Sequence, residues 1–164
     1  MTITNTTSTR QDAGRNPGAV AALYLGLLLT ALATGAPWVD HATTDVLAHH
    51  VRAGYPGYSE GQVESAVATW LAILTVVGVL GTAGWVGSIW AVRVGKPWAR
   101  WLAMALLLAG TAVAVAALMT RDTSGDVGLA PQLGLVGLLP SLAGAVAVAR
   151  LLRAPATPQS HGHR

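Results

Sequence analysis

Four long stretches without a charged residue constrain this chain more than any other feature. They cover 16–39, 65–92, 101–120 and 127–149, and they run for 24, 28, 20 and 23 residues without Asp, Glu, Lys or Arg. A helix needs about 20 apolar residues to cross a hydrocarbon core of about 30 Å. The sequence therefore predicts an all-α integral membrane four-helix bundle.

The predicted membrane domain covers 18–153, with spans at about 18–39, 63–94, 98–120 and 131–152. The preceding segment 1–17 is rich in Thr, Asn and Gly and has no apolar stripe, which is typical of disorder. We expect this segment and the tail 154–164, which contains His161 and His163, to be disordered and cytoplasmic.

The distribution of basic residues predicts the orientation. If the amino terminus is cytoplasmic, the inside segments carry eight Lys and Arg against Asp12 alone, a net charge of +7. The outside segments then carry Arg52 and Arg121 against six acidic residues, a net charge of −4. This bias predicts a plasma-membrane protein with both termini cytoplasmic. Because the basic residues flank spans rather than form one patch, they indicate the lipid bilayer and not nucleic acid as the partner.

A cleaved signal peptide is the alternative interpretation of the first span. Arg10 and Arg15 would be its basic region, 19–32 its apolar core and 31–33 (Ala-Leu-Ala) its cleavage site. The apolar run continues to Val39, however, which is long enough to cross a membrane and favours a span. A mature amino terminus near Thr34 would show instead that the first span is a cleaved signal peptide.

The residues that are missing exclude several kinds of chemistry. The chain has no cysteine, which removes disulfides, thiolate metal sites and CxxC redox chemistry. No Asp, Glu, His, Lys or Arg lies within the four charge-free stretches, and HExxH, GxSxG and phosphate-binding loops are absent. We therefore expect that the protein is not an enzyme and that it binds no cofactor.

The predicted role is that of an accessory or scaffold protein, acting through helix packing or its outer loop on a membrane-protein partner or a second copy. A small oligomeric transporter or channel is the alternative.

Glycine and tryptophan positions suggest how the spans pack and where they sit. Small residues let helices approach closely in lipid, so a glycine row in the second span and another in the fourth predict packing between these two spans, with homodimerisation as the alternative. Tryptophans near the predicted span ends predict interfacial anchors; Trp85 lies deeper, and a porphyrin or sterol pocket is the alternative. The glycines are Gly78, Gly81, Gly84, Gly87, Gly134 and Gly137, and the anchors are Trp38, Trp90, Trp98 and Trp101.

The polar segment 41–65 is predicted to be the largest part of the chain in water. If 39–53 forms one helix, that helix is amphipathic and carries His41, Asp45, His49 and Arg52 on its polar face. Such a short outer helix would lie along the membrane or across the bundle mouth. Ser59 and Gln62 then have the spacing of a capping box.

Three residues of this polar face, His41, Asp45 and His49, are candidate metal ligands, because imidazole and carboxylate groups at one-turn spacing can share an ion. Three side chains on one straight helix converge poorly, so an acid among Glu60, Glu64, Asp122 and Asp126 would have to contribute. A solvated helix face is the alternative interpretation.

Three segments carry a resemblance to a known kind of protein: HVRAGYPGYSEGQVESAV, GWVGSIWAVRVGKPWARW and TRDTSGDVGLAPQLGLVGLLP. Together they resemble small four-span membrane proteins of actinobacterial type, a family defined by a domain of unknown function. The resemblance covers roughly 38–140 and implies no particular activity. Proteins related to vitamin K epoxide reductase share only the architecture, since they need cysteines, and DoxX-like and sterol-isomerase-like bundles carry intramembrane polar residues that this chain does not match.

Overall fold

The four charge-free segments form four long helices, which confirms the predicted architecture. A computed structural model of the chain describes residues 17–121 and 129–153, and this part contains five helices. They are α1 (Pro17–Thr43), α2 (Val46–Gly54), α3 (Glu60–Arg93), α4 (Ala99–Met119) and α5 (Pro131–Arg153). All but α2 are long and apolar enough to cross a membrane. The protein is an all-α multi-pass membrane protein with one short outer helix. The ends predicted to be disordered lie outside the described residues, apart from Pro17, which begins α1.

The outside of the bundle is apolar in the way that lipid requires. Leu80, Leu108 and Met119 each leave about two thirds or more of their surface exposed, at 66%, 68% and 73%. Exposed apolar area on this scale is unusual for a protein in water. A bilayer covers such a surface without cost, whereas the backbone polar groups are satisfied within each helix.

The long helices form a ring in the order α1, α3, α4, α5. α1 packs extensively against α5 and α3, and α4 packs against α5; the contact between α3 and α4 is the least extensive of the four. Among the described residues, no Cα atom of α3 lies within 8 Å of a Cα atom of α5, because the two helices lie diagonally across the ring. The predicted packing of the second span against the fourth through their glycine rows is therefore wrong.

The glycine rows face the neighbouring helices of the ring instead. Gly78 is so close to Thr34 that a Cβ there would overlap this side chain, and a Cβ on Gly81 would lie 3.2 Å from Thr30. On the other side, Gly84 and Gly87 face Leu106 and Leu102 of α4, and Gly134 faces Leu118 of α4. Gly137 has nothing within 4 Å of a Cβ position. Spacing alone shows that helices can approach, but it does not show which ones do.

Two separate apolar cores hold the ends of the bundle together. We call the first end the capped end, because α2 lies across it. Leu47, Ala48 and Val51 of α2 pack there with Val63, Val67 and Leu71 of α3 and with Leu129 and Ala130. This placement agrees with an outer helix across the bundle mouth. The core at the opposite end includes Ala22, Leu23, Ile89, Val92, Ala99 and Ala147.

The charges of the described residues divide between these two ends. The four acidic residues, Asp40, Asp45, Glu60 and Glu64, are at the capped end together with Arg52 and Arg121. At the opposite end, every charged residue that the structure describes is basic: Arg93, Lys96, Arg100, Arg150 and Arg153. We call it the basic end. Two of its arginines stack on aromatic rings, Arg93 on Tyr24 at 5.4 Å and Arg100 on Trp101 at 5.7 Å.

The tryptophans predicted as anchors lie on the outer surface, near the two ends. Trp38, on the capped side, is half exposed and donates a hydrogen bond of 3.0 Å from Nε1 to Thr75 Oγ1. Trp90 and Trp98 pack together at the basic end with ring centroids 6.3 Å apart. Trp101 is also exposed there. Their role as interfacial anchors stays a prediction.

Candidate functional site

The joint between α1 and α2 is organised by one buried carboxylate, Asp40. Its Oδ1 accepts hydrogen bonds from Thr44 Oγ1 at 2.6 Å and from the Val46 amide at 3.0 Å, and its Oδ2 accepts one from the Leu47 amide at 3.1 Å. The first amides of a helix have no partner within the helix, and a negative charge beside them is favourable. Asp40 therefore caps α2 from the last turn of α1. The sequence alone does not predict this role, because a carboxylate six residues before the helix is not a recognisable cap pattern.

The same joint corrects the prediction of one continuous helix over 39–53. α1 ends at Thr43 and α2 begins at Val46. Between them, Asp45 adopts a left-handed backbone with φ of 52°, which a helix cannot continue through. His41 consequently lies in the last turn of α1 and His49 in α2, so the predicted single polar face is divided between two helices.

The candidate metal ligands are brought together only in part. His41 Nδ1 lies 3.4 Å from Asp45 Oδ1, and the other oxygen of Asp45 lies 3.8 Å from Arg52 Nη1. Within 17–121 and 129–153, no group of three or more His, Asp or Glu side chains is placed to hold a metal ion. Asp122 and Asp126, the possible helpers on the second outer segment, lie outside the described residues. A metal site at His41, Asp45 and His49 stays a prediction.

Arg52 connects α2 to the start of α3. Its Nη2 donates to Glu60 Oε2 at 2.8 Å, and its Nε donates to Glu60 Oε1 at 3.4 Å. The hydrogen bond to Glu60 raises the pKa of Arg52 above its ordinary value. Next to this pair, the Ser59 amide donates to Gln62 Oε1 at 2.8 Å, and the predicted capping box is present. These contacts fix the short turn that places α2 on the bundle.

A cavity of about 350 Å³ lies in the middle of the bundle, between the two cores. Each long helix contributes one stretch of wall: 30–37 of α1, 74–85 of α3, 106–117 of α4 and 133–144 of α5. Each stretch of eight to twelve residues rises by about 10–17 Å at 1.5 Å per residue. Binding pockets for small molecules begin at about 300 Å³, so the cavity is large enough to hold a ligand.

This space arises because glycines line it and because α3 and α5 lie diagonally across the ring, with their backbones apart. Gly78, Gly81, Gly110, Gly134, Gly137 and Gly144 all line the cavity. A Cβ on Gly137 would meet nothing within 4 Å, and a Cβ on Gly110 would meet only Ser141 Oγ at 4.0 Å. Gly137, predicted to serve helix packing, therefore faces open space in the cavity wall.

Trp85 forms the floor of the cavity on the side of the basic end. Its indole ring reaches from α3 to the backbone of α1 at Gly26 and of α5 at Gly144, where a Cβ at Gly26 would overlap the ring. Its Nε1 donates a hydrogen bond of 2.8 Å to Thr30 Oγ1. Trp85 also packs against the basic-end core, and thus separates the cavity from that end.

The capped-end core forms the ceiling. Leu129 lines the cavity and is 1% exposed, and it belongs to the same core as Leu47 and Val51 of α2. Leu74 and Leu133 line the cavity from α3 and α5 and pack against that core as well. The helix that Asp40 caps therefore covers the cavity from above.

The cavity opens sideways, between α3 and α4. Val77 and Leu80 of α3 line it and are exposed, as are Ala109, Gly110 and Val113 of α4. These residues belong to the two helices that share the ring's least extensive contact. In a bilayer this opening faces lipid chains and not water.

The wall of the cavity is apolar apart from a few neutral groups. Thr30, Thr34, Trp85 and Ser141 supply its polar side-chain atoms, and none of the described lining residues is ionisable. Thr34 Oγ1 donates to the Thr30 carbonyl at 2.7 Å. The sequence predicts the depth of Trp85, but it contains no signal that Trp85 and these hydroxyls share one cavity.

Comparison with known proteins gives no relative: no protein-family model, no curated protein and no solved structure matches this chain. The resemblance to actinobacterial four-span proteins stays a prediction.

Proposed function

We propose that the protein is a non-catalytic lipid-binding protein of the plasma membrane, whose central cavity takes up a lipid-like molecule from the surrounding bilayer. The observation that carries this proposal is the cavity itself, covered at both ends and open between α3 and α4 at membrane depth. A ligand that enters there exchanges one apolar surrounding for another. Its specific binding then depends on the fit of the cavity and on the polar atoms in its wall.

A small lipid-like ligand fits this space better than a helix from a partner protein. The cavity extends about 17 Å along the bundle, whereas a membrane-crossing helix needs about 30 Å. The two cores of packed side chains limit it at either end. A flexible chain or a fused ring system can enter through a sideways opening of this height.

Catalysis and conduction are disfavoured by the wall residues. Acid–base chemistry needs a titrating group within hydrogen-bond reach of the ligand, and the described lining offers none. Proton and ion pathways use ionisable residues at membrane depth. The accessory or scaffold role and the transporter alternative stay predictions, and co-purification of one stoichiometric membrane partner would favour the first.

We further propose that the basic end faces the cytoplasm, which places both termini inside and the capped end outside. The support is the charge distribution, with five described basic residues and no described acidic residue at the basic end. Cytoplasmic segments of membrane proteins carry this excess of Lys and Arg.

Photolabelling tests the binding proposal directly. The purified full chain in lipid nanodiscs is exposed to a long-chain hydrocarbon that carries a diazirine, and labelled residues are mapped by mass spectrometry. We expect labels on 74–85 and 106–117 that an excess of unlabelled hydrocarbon removes. Labels that appear only on outward-facing residues and resist competition would contradict the proposal.

A pair of glycine substitutions provides the matched comparison. Gly137→Leu should fill the cavity without a clash, because nothing lies within 4 Å of a Cβ there, and it should abolish the competed labelling. Gly35→Leu places the same side chain in equally open space on α1, away from the cavity wall, and should leave the labelling unchanged.

A further inference from the structure

We propose that the ligand is an uncharged lipid with a carbonyl oxygen, and that the hydroxyls of Thr30 and Ser141 bind this oxygen. The inference rests on the proposed binding function and adds the chemical class of the ligand. It depends on which polar atoms of the wall already have partners and which do not.

Thr30 is a buried hydroxyl with an unused hydrogen. The residue is 8% exposed and lies in the cavity wall. Because the Trp85 N–H donates to Thr30 Oγ1, the oxygen of Thr30 acts as the acceptor in that bond and its own hydrogen remains to donate. Thr34, one turn further along α1, uses its hydrogen on the Thr30 carbonyl and has none left for a ligand.

Ser141 offers a second donor from α5, the helix that neighbours α1 in the ring. It lies on α5, and its Oγ is 4.0 Å from the position of a Cβ on Gly110 of α4, beside the sideways opening. Among the described residues its hydroxyl makes no hydrogen bond. An unpaired hydroxyl in an apolar wall lacks the partner that water would supply elsewhere.

The two donors lie at the same depth. The Trp85 ring contacts the backbone at Gly26 and Gly144. Thr30 is four residues after Gly26 on α1, and Ser141 is three residues before Gly144 on α5, which runs in the opposite direction. Both are therefore one helical turn above the ring, toward the capped end.

A carbonyl oxygen is the ligand atom that uses both donors. It has two lone pairs and accepts two hydrogen bonds, one from each of the neighbouring helices α1 and α5. A phosphate or carboxylate headgroup does not suit the site, because the described wall holds no charged side chain to compensate it. A plain hydrocarbon leaves the hydrogens of both hydroxyls without an acceptor.

The test compares two competitors that differ only in this oxygen. A long-chain ketone and the hydrocarbon of the same carbon number each compete with the diazirine probe for the full chain in nanodiscs. We expect the ketone to compete about tenfold better in the wild type, as one or two modest hydrogen bonds would give. Ser141→Ala and Thr30→Val should each reduce this preference several-fold, measured as the ratio of ketone to hydrocarbon competition within the same variant, whereas Thr30→Ser should retain it.

Thr69→Val serves as the control, because Thr69 donates a hydrogen bond to the Ser65 carbonyl of its own helix and lies outside the cavity wall. This variant should keep the full preference for the ketone.

Equal competition by ketone and hydrocarbon in the wild type would overturn the inference while the binding function stands. A preference that survives both Ser141→Ala and Thr30→Val would also overturn it. If neither molecule competes, the proposed binding function fails with it.

Discussion

The indole nitrogen of Trp85 and the hydroxyl of Thr30, 55 residues apart in the chain, form a hydrogen bond of 2.8 Å across the interface between α3 and α1. The bond fixes the orientation of the ring that separates the cavity from the basic-end core. It also decides which atom of Thr30 remains available to a ligand. A single contact thus belongs both to the packing of the bundle and to the chemistry of its cavity.

The first prediction concerns the strength of this bond. In a double-mutant cycle with Trp85→Phe and Thr30→Val, we expect a coupling energy of about 0.6 kcal/mol and at most about 1.7 kcal/mol, the range for side-chain hydrogen bonds between membrane helices. Unfolding free energies in mixed detergent micelles give the four values. Strictly additive effects of the two substitutions would show that the bond does not contribute.

A second prediction uses the glycine row of α3. Gly78→Ala should destabilise the bundle by about 1–3 kcal/mol, as overpacking does, because the added Cβ would overlap Thr34. Gly87→Ala is the matched control, since the nearest atom, Leu102 Cδ2, is 4.0 Å away. It should be neutral or stabilise by up to about 1 kcal/mol through helix propensity. Similar losses of stability in both variants would contradict the described helix contacts.

The third prediction concerns the cap on α2. Asp40→Ala should cost about 0.5–2 kcal/mol, the usual range for loss of a capping side chain. The amides of Val46 and Leu47 should then exchange with deuterium faster, because both donate to this carboxylate. Glu64→Ala removes an exposed carboxylate from the same end and should leave this exchange unchanged. Unaltered protection in Asp40→Ala would mean that something else holds α2 in place.

The proposed orientation is tested with reporter fusions. A reporter after Lys96, in the turn between α3 and α4, should be active only on the cytoplasmic side, and one after Tyr55 only on the outer side. The reason is the excess of basic residues around the first position. The reverse result would invert the topology, and a mature chain that begins near Thr34 would make α1 a cleaved signal.

The spans could be predicted because the relevant constraint is local. Any charged residue within a membrane-crossing helix is costly, so a charge-free window such as 65–92 is visible without knowledge of its neighbours. The Ser59–Gln62 capping box was predictable for the same reason, since both partners lie in one helical turn.

The site depends on relationships that sequence spacing does not contain. Asp40 binds amides across a break in the helix, and no pattern announces the left-handed backbone at Asp45. The cavity exists because the backbones of α3 and α5 do not approach each other, although both helices carry glycine rows. Which helix each row faces is decided by the order of helices in the ring.

The unequal lengths of α3 and α4 have a consequence for the sideways opening. At 1.5 Å per residue, the 34 residues of α3 extend about 51 Å and the 21 residues of α4 about 32 Å. The second length matches a hydrocarbon core of about 30 Å, while the first exceeds it, so that α3 has to tilt or to project beyond the core. Because a short turn joins the two helices at the basic end, a tilt of α3 away from α4 would separate the two helices toward the capped end. Bilayer thickness would then adjust the width of the entrance, and lipids that never enter the cavity would affect the access of those that do.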